Sequence, residues 1–437
     1  MADVRAPVLV IYRAGRGGHG ALAIARTLGR LGVPVYLAAQ DVRTPVAASR
    51  FWVDTFRWDA SLDESRSVDF LSSVGQNLRE AHGRSPLLLT AVDWPAILIE
   101  RNADALSQTF RFPRQTGKLV ERLANKWELF AFATEHGIPT PKTFRVRTLE
   151  DAERVMAQAG FPLVAKPADS YRRHVPTKAI LGSREEFVAK VACAPRGADV
   201  NLIVQEHIPG DPSAVWMCNG YFSESTALTL TGRKLRQVDS TGVASLAVCV
   251  PNETVAAQTH DLMRGVGYRG CVGVGYKFDP RDGRYKLLDV NPRVSAIFRL
   301  FVGPNDMDVV RLCYLDMTDQ AAPGIDASPG RTVMLEEDLL SALSAMRQGT
   351  LTFGTWVKSL RSVSELQWFA KDDLWPFAVW LWTGGRRRMS WRRTVQAPRA
   401  FSAEGILMRT KIAGLAKKEP TPELAARRDS ESDESDP

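Results

Sequence analysis

The opening stretch of the chain alternates short apolar runs with segments of helical periodicity. Pro7-Val-Leu-Val-Ile-Tyr12 reads as a buried strand, Ala21 to Leu31 carries apolar residues at helical spacing, and Val33-Pro-Val-Tyr-Leu-Ala38 reads as a second strand. A strand, a crossover helix and a strand in that order make a right-handed parallel unit. Pro86-Leu-Leu-Leu-Thr90 adds a later strand, and Thr90 and Asp93 lie at its carboxyl end, where open α/β sheets place ligands. The pattern then changes. Leu119 to His136 reads as one helix, closed by Gly137 and stopped by Pro139 and Pro141; strands, turns and one hairpin follow as far as Asn291. A helical stretch from Asp306 to Thr318 precedes a Pro/Gly-bearing linker, Ala321 to Gly330.

A length of 437 residues exceeds what one hydrophobic core organises, and an apolar share of 45% supplies material for two or three. The predicted architecture is α/β and α+β: a Rossmann-like domain over 1–115, an α+β domain over 116–320, a C-terminal extension over 321–416 and a disordered tail over 417–437. The tail combines Pro, Ser, Asp and Glu with almost no apolar residue, which cannot offset the entropy of ordering. Net charge is +8, and six of the surplus charges are Arg386, Arg387, Arg388, Arg392, Arg393 and Arg399. The basicity is local, so no nucleic-acid partner is expected. Five scattered cysteines without CxxC spacing argue against a disulfide framework or structural zinc and fit a reducing cytoplasm. Val8 to Tyr12 is too short for a signal peptide, and no run reaches the ~20 apolar residues of a spanning helix. A cytoplasmic protein, at most peripheral to a membrane, is expected.

Gly15-Arg-Gly17-Gly-His-Gly20 matches GxGxxG between a strand and a helix, with Asp41 near the place of a ribose-binding acid. Glycines there equally permit the close approach of another backbone, so packing or substrate binding stands beside a dinucleotide site. Tyr276 to Arg293 is a β-hairpin by its turn chemistry, with Asp279-Pro-Arg-Asp-Gly283 at the bend. Its second arm ends in Asp289-x-Asn291-x-Arg293. Alternate strand residues share a face, so a carboxylate, an amide oxygen and a guanidinium line up on one side. Asp289 and Asn291 suit Mg²⁺, with Mn²⁺ as its substitute, and the Arg293 cation suits a phosphoryl group in transfer. Capping the hairpin is the plain alternative. Lys126, early in a helix, and Lys166, ending an apolar strand, are point charges suited to polyphosphate, although Lys126 also reads as a solvated helix lysine. Leu202-Ile-Val-Gln205-Glu206 is an apolar strand that turns polar; Ile208-Pro-Gly then bends the chain and frees backbone amides and carbonyls, the mixture an adenine needs. The basic stretch Thr231-Gly-Arg-Lys234-Leu-Arg236 reads either as a holder for a substrate carboxylate or acyl phosphate or as a solvated turn.

In order, Asn125-Lys126-Trp, Val164-Ala-Lys166-Pro, Val204-Gln205-Glu206-His-Ile208-Pro-Gly and Leu288-Asp289-Val-Asn291-Pro-Arg293 resemble the ATP-grasp superfamily. Within it the chain is similar to the carbamoyl-phosphate-synthase-like and D-aspartate-ligase-like carboxylate-amine ligases. The resemblance implies a Rossmann-like pre-ATP-grasp domain, a two-lobed ATP-grasp domain with ATP between its lobes, and a C-terminal extension. It implies an ATP-dependent ligase that joins a small-molecule carboxylate to an amine through an acyl phosphate; a homodimer is compatible with it. By the same resemblance Lys126 and Lys166 meet the phosphates, Gln205 or Glu206 accepts from the adenine amine, the backbone near Ile208 meets the ring, and Asp211 or Ser213 reaches the ribose. Asp289 and Asn291 hold the metal, while Arg293, Lys234 and Arg236 face the reacting groups.

The chain departs from that pattern twice. Asp169-Ser-Tyr-Arg-Arg-His174 replaces a glycine-rich phosphate loop, and Gly273 and Gly275 stand where the first hairpin arm usually carries a second metal carboxylate. The second departure keeps open a non-catalytic ATP-binding relative. A NAD(P)-dependent oxidoreductase built on Gly15 to Gly20 is a further alternative, and it leaves the Asp289 cluster without an account. Leu374 to Arg393 sets tryptophans beside arginines, as interfacial membrane segments and nucleic-acid-stacking surfaces do. An amphipathic element packed on the body, with its arginines in water, is the plainer reading.

Overall fold

The computed structural model describes residues 2–13, 18–59, 63–169, 178–192, 202–238, 242–321, 323–326 and 328–391. Gly15, Gly17, the loop from Ser170 to His174, Arg392, Arg393, Arg399 and the 417–437 tail lie outside them. The described chain forms two compact units, a larger one made of the residues up to Thr140 together with those from Ile208 on, and a smaller one, Pro141–His207.

The larger unit begins with a parallel sheet of four strands, β1 (Val8–Tyr12), β2 (Val35–Ala39), β3 (Trp52–Arg57) and β4 (Leu87–Thr90), in the order β3-β2-β1-β4. β1, β2 and β4 are buried at every position because both faces of the sheet are covered. Val8, Val10 and Tyr12 enter one apolar cluster with the helix Gly18–Leu31, while Leu9 and Ile11 enter another with the helix Glu64–His82. β3 lies at one edge of the sheet and is half open to solvent, and its sequence lacks the continuous apolar run that marks the other three.

The smaller unit is an antiparallel sheet of β5 (Thr143–Val146), β6 (Leu163–Pro167), β7 (Ala179–Leu181) and β8 (Leu202–Glu206), ordered β5-β8-β6-β7. The helix Leu149–Gln158, opened by a Thr148/Asp151 capping box, and the helix Arg184–Ala192 supply Val155 and Phe187 to a core shared with Leu163, Ala165, Leu202 and Val204. Lys166 pairs with Ile203 and Val164 with Gln205, which puts Lys166 and Gln205 on the face away from that core.

A second sheet of the larger unit contains β9 (Val215–Phe222), β10 (Ala227–Val238), β11 (Val243–Cys249), β12 (Gly270–Asp279), β13 (Arg284–Asn291), β14 (Thr332–Met334) and β15 (Glu365–Leu366). Its seven strands run β13-β12-β9-β10-β11-β14-β15, so the chain beyond the Ala321–Gly330 loop rejoins this sheet beside β11. The single helix expected over Leu119 to His136 is two, Leu119–Ala124 and Lys126–Glu135. Asn125 ends the first and caps the second: its side-chain oxygen accepts from the Trp127 and Glu128 amides at 2.9 and 3.1 Å. A short polar side chain that bonds the local backbone competes with helix continuation.

The C-terminal segment is bolted to the first helix by one buried ion pair and one at the surface. Asp373, fully buried in its side chain, accepts from Arg26 Nε at 2.9 Å, Ser49 Oγ at 2.7 Å and the Arg50 amide at 3.0 Å. Arg30 forks onto Asp372 with two bonds of 2.8 Å. The helix Trp375–Trp391 follows directly.

Candidate active site

The hairpin of β12 and β13 turns at Asp279 to Gly283, as its sequence predicts, and β13 carries the acidic end to the edge of the sheet. There four side chains form one chain of hydrogen bonds. Asn291 Nδ2 donates to Asp289 Oδ2 at 3.0 Å, Arg293 Nη2 donates to Asn291 Oδ1 at 2.9 Å, and Arg293 Nε donates to Asp93 Oδ1 at 2.8 Å. Asp93 opens the helix Asp93–Arg101 just beyond β4, where a helix N-terminus favours negative charge. The Val294 amide donates to the Thr90 carbonyl at 3.3 Å. The carboxyl end of the parallel sheet and the end of the hairpin therefore meet at Arg293, whose side chain is only 13% exposed.

Two glycines in the first turn of the helix Gly18–Leu31 let it pack closely, Gly20 against the segment beyond Arg293. A Cβ on Gly20 would stand 2.9 Å from both Ala296 Cα and Ala91 Cβ, and one on Gly18 would stand 2.8 Å from Tyr12 Oη and Val46. Both positions serve packing, and Gly20 is the one motif glycine among the described residues. Between them, His19 is pulled down to about 4 by burial and then by the Arg293 charge, so its imidazole is neutral at neutral pH. Its ring lies edge-on to Trp368, with centroids 6.1 Å apart.

Gly275 sits directly opposite Asp289 in the sheet, and Gly273 opposite Asn291. A Cβ on Gly275 would fall 2.4 Å from Asp289 Oδ1, so the carboxylate lies over bare backbone. Among the described residues no three His, Cys, Asp or Glu side chains gather as metal ligands. The hairpin end thus offers one carboxylate and one amide oxygen. That donor set fits a magnesium ion sharing its shell with substrate phosphates and does not fit an all-protein cage. Gly275 pairs with Met217, and Met217 with Gly232, so Lys234, two residues on, shares the sheet face of Asp289.

Lys234 Nζ donates to the Gly242 carbonyl. A register irregularity follows it, and Arg236 forks onto the buried carboxylate of Asp338, Nε to Oδ1 at 2.9 Å and Nη2 to Oδ2 at 2.6 Å. The basic stretch is strand, not the solvated turn that was its alternative, and Arg236 ties it to the C-terminal segment.

The remaining candidates divide between the units. In the smaller one Gln205 is buried and donates to Thr143 Oγ1 at 2.7 Å, and Glu206 Oε1 accepts from the Lys142 amide at 3.0 Å. In the larger one Lys126 is the first residue of its helix. Ile208 is buried, and its carbonyl accepts from Lys277 Nζ at 2.7 Å; the same ammonium reaches the Gly210 carbonyl at 3.2 Å. Asp211 accepts from the Ser213 amide at 2.7 Å, and bonds from Ser213 hold its carboxyl below the usual range. Lys277, which the sequence reading passed over, fixes the turn after β8. The alternation Gly273-x-Gly275-x-Lys277 was the available signal, since it puts that lysine on the Asp289 face.

Two cavities border these residues. One, of about 80 Å³, is lined by Arg293, Thr90, Glu100 and Tyr268. Burial pushes the Glu100 carboxyl up, and the Val120 and Glu121 amides, bonded to it at 2.6 and 3.0 Å, oppose that shift. The other, of about 350 Å³, is lined by Asp211, Ser213, Trp216, Arg233, Phe278 and Tyr285.

No protein-family model matches the chain. It is 31% identical over 242 residues to D-aspartate ligase from Enterococcus faecium, across 52% of this chain and 57% of that one. It is 24% identical over 189 residues to the carbamoyl phosphate synthase large chain, N-terminal section, from Methanopyrus kandleri, across 40% of this chain and 32% of that one. The chain thus spans just over half the length of the first relative and about a third of the second. In fold it matches the crystal structure of L-amino acid ligase from Bacillus licheniformis, with a TM-score of 0.57 over 76% of this chain and 79% of that one at 13% identity. In sequence the chain is similar to D-aspartate ligase and to the carbamoyl phosphate synthase large chain, and its fold matches that of ATP-grasp ligase structures.

Proposed function

We propose that the protein is an ATP-dependent ligase that converts a small-molecule carboxylate to an acyl phosphate and passes the acyl group to an amine. One observation carries the reading: the continuous chain Asp93–Arg293–Asn291–Asp289, which presents a fixed guanidinium beside a carboxylate and an amide oxygen. Arg293 is oriented by Asp93, and a planar fork held in that way favours phosphoryl oxygens as their charge develops. A magnesium ion on Asp289 and Asn291, shared with the phosphates of ATP, would spread negative charge at the transferring group. Lys126 and Lys166 would meet the phosphates. Gln205, Glu206 and the Ile208 backbone would meet the base, and Asp211 or Ser213 the ribose. Lys277 would set the Ile208 and Gly210 carbonyls for that contact. Lys234 is the proposed holder of the carboxylate or acyl phosphate. Arg236 is a positioning residue, held by Asp338 on the strand that carries Lys234.

Carboxylate attack on the γ-phosphorus releases ADP, and amine attack on the acyl carbon then releases phosphate, so atoms and charge balance without a further reactant. Positioning and electrostatics are the protein's main contributions to such chemistry. Gly275 supports a second reading, a relative that binds ATP without turnover, because its position leaves Asp289 with no carboxylate facing it across that pair of strands. Thermal melting with Mg·ATP, ATP alone and NAD tests the binding step. A site saturated a hundredfold over its Kd stabilises by about 2.7 kcal/mol. A magnesium-dependent shift with ATP and none with NAD is expected; a shift with NAD alone would defeat the reading. ADP release in the presence of a carboxylate and an amine then separates ligase from binder.

A further inference from the structure

We propose that the C-terminal helices form a surface that docks onto an anionic lipid bilayer. The helix Trp375–Trp391 is apolar on two sides over its first turns, Trp375 to Trp382. Phe377 and Trp380 pack against the main core, with their rings stacked at 5.7 Å, and Trp380 Nε1 donates to Glu337 Oε1 at 3.2 Å. The outward side is apolar as well. Leu374, Trp375, Ala378, Leu381 and Trp382 follow the spacing of a single helical stripe, and all are exposed, Trp375 at 69% and Trp382 at 66%. Packing on the body, the plainer reading of this segment, accounts for Phe377 and Trp380 and leaves that stripe without a role.

Glu337, which Trp380 touches, sits at the start of the helix Asp338–Arg347, and that helix exposes Leu339, Leu340 and Leu343 at the same kind of spacing. Two neighbouring helices therefore turn large aliphatic and indole side chains to solvent. Large exposed apolar patches on soluble domains mark interaction surfaces.

Charge selects the occupant. From Leu374 to Ala403 the sequence contains six arginines, Arg386, Arg387, Arg388, Arg392, Arg393 and Arg399, and no Asp or Glu. Tryptophan at the boundary, aliphatic side chains beside it and arginines next along the chain are the composition of a segment lying in the plane of an anionic membrane surface. No helix among the described residues is long and apolar enough to cross a membrane, so the contact is with the surface. Asp373 and Asp372, bonded to Arg26 and Arg30 immediately before the stripe, fix its orientation on the body.

The test is co-sedimentation of the full chain with phosphatidylcholine vesicles, with and without phosphatidylglycerol. The wild type should pellet with the anionic vesicles, less so as salt rises, and far less with phosphatidylcholine alone. Trp375→Ser with Trp382→Ser should lower the partition coefficient at least about tenfold with little change in melting temperature. Quenching of wild-type tryptophan fluorescence by brominated lipid needs no variant and should occur only with the anionic vesicles. Absence of binding, unchanged binding by the double variant, or absence of quenching would overturn the proposal. So would a wild-type dimer in vesicle-free solution that the double variant dissociates, because the stripe would then be a protein interface.

Discussion

Replacing Gly275 by alanine adds one methyl group and tests the carboxylate at the hairpin end. The new Cβ would stand 2.4 Å from Asp289 Oδ1, which is about 1 Å inside ordinary contact. That oxygen ends a rotatable side chain, so Asp289 turns before the backbone yields. Turning breaks the 3.0 Å bond from Asn291 Nδ2. A hydrogen bond to a charged group contributes about 1.5–3 kcal/mol, and water recovers part of it at a half-buried position, leaving a net cost of about 1 kcal/mol. In a unit of this size that lowers the melting temperature by about 1–2 °C. Under the proposed metal role of Asp289 the functional cost is larger, because disturbing a metal ligand's support typically weakens metal affinity about 10–100-fold. Titrating Mg²⁺ into an ADP-release assay should show the half-saturating concentration rising by that factor while the fold persists. Wild-type magnesium dependence together with an unchanged melt would refute the placement of Asp289.

Other substitutions probe the supports of the site. Asp373→Ala strands the buried Arg26 guanidinium and should cost about 3–5 kcal/mol in urea unfolding, whereas a loss under about 1 kcal/mol would mean the C-terminal segment is not anchored there. Lys277→Met removes the donor to the Ile208 and Gly210 carbonyls and should raise KM for ATP about tenfold with kcat nearly kept; an unchanged KM would detach Lys277 from the nucleotide. Burial pushes the Glu336 carboxyl up from 4.5 to about 7. The folded state holds that proton more tightly than the unfolded chain, so this stabilisation is full below pH 4.5 and is lost as pH rises through 7. At about 1.4 kcal/mol per pH unit the loss is about 3 kcal/mol. Glu336→Gln should therefore flatten the melting temperature across that range, and an unchanged slope would contradict the assignment.

What the sequence made legible was local. β1 and β4 are continuous apolar runs because helices cover both faces, and the β12–β13 hairpin follows from its Asp-Pro-Arg-Asp-Gly bend and the alternation of its arms. The shared face of Asp289, Asn291 and Arg293 follows from the strand period alone. Partners distant in sequence were not legible. Nothing near Arg236 announces Asp338, and nothing near Thr332 announces that it pairs with Val248 across the Pro/Gly-bearing loop. Apolar spacing continues through Asn125 and places it inside a helix; only the cap geometry shows the break. The exposure of Trp375 and Trp382 was hidden for a similar reason, since periodicity marks an apolar side without saying what covers it.

The most direct test of the proposed chemistry follows the carboxylate oxygen. Amino-acid pairs are screened for amine-dependent ADP release, and the most active pair is repeated with ¹⁸O in the carboxylate. Attack of that oxygen on the γ-phosphorus, followed by amine displacement of the acyl phosphate, carries one ¹⁸O into inorganic phosphate and none into the nucleotide. The account predicts labelled phosphate with unlabelled ADP from the wild type, and loss of both products with Asp289→Asn. Label in AMP, unlabelled phosphate, or no amine-dependent ADP release from any pair would contradict it.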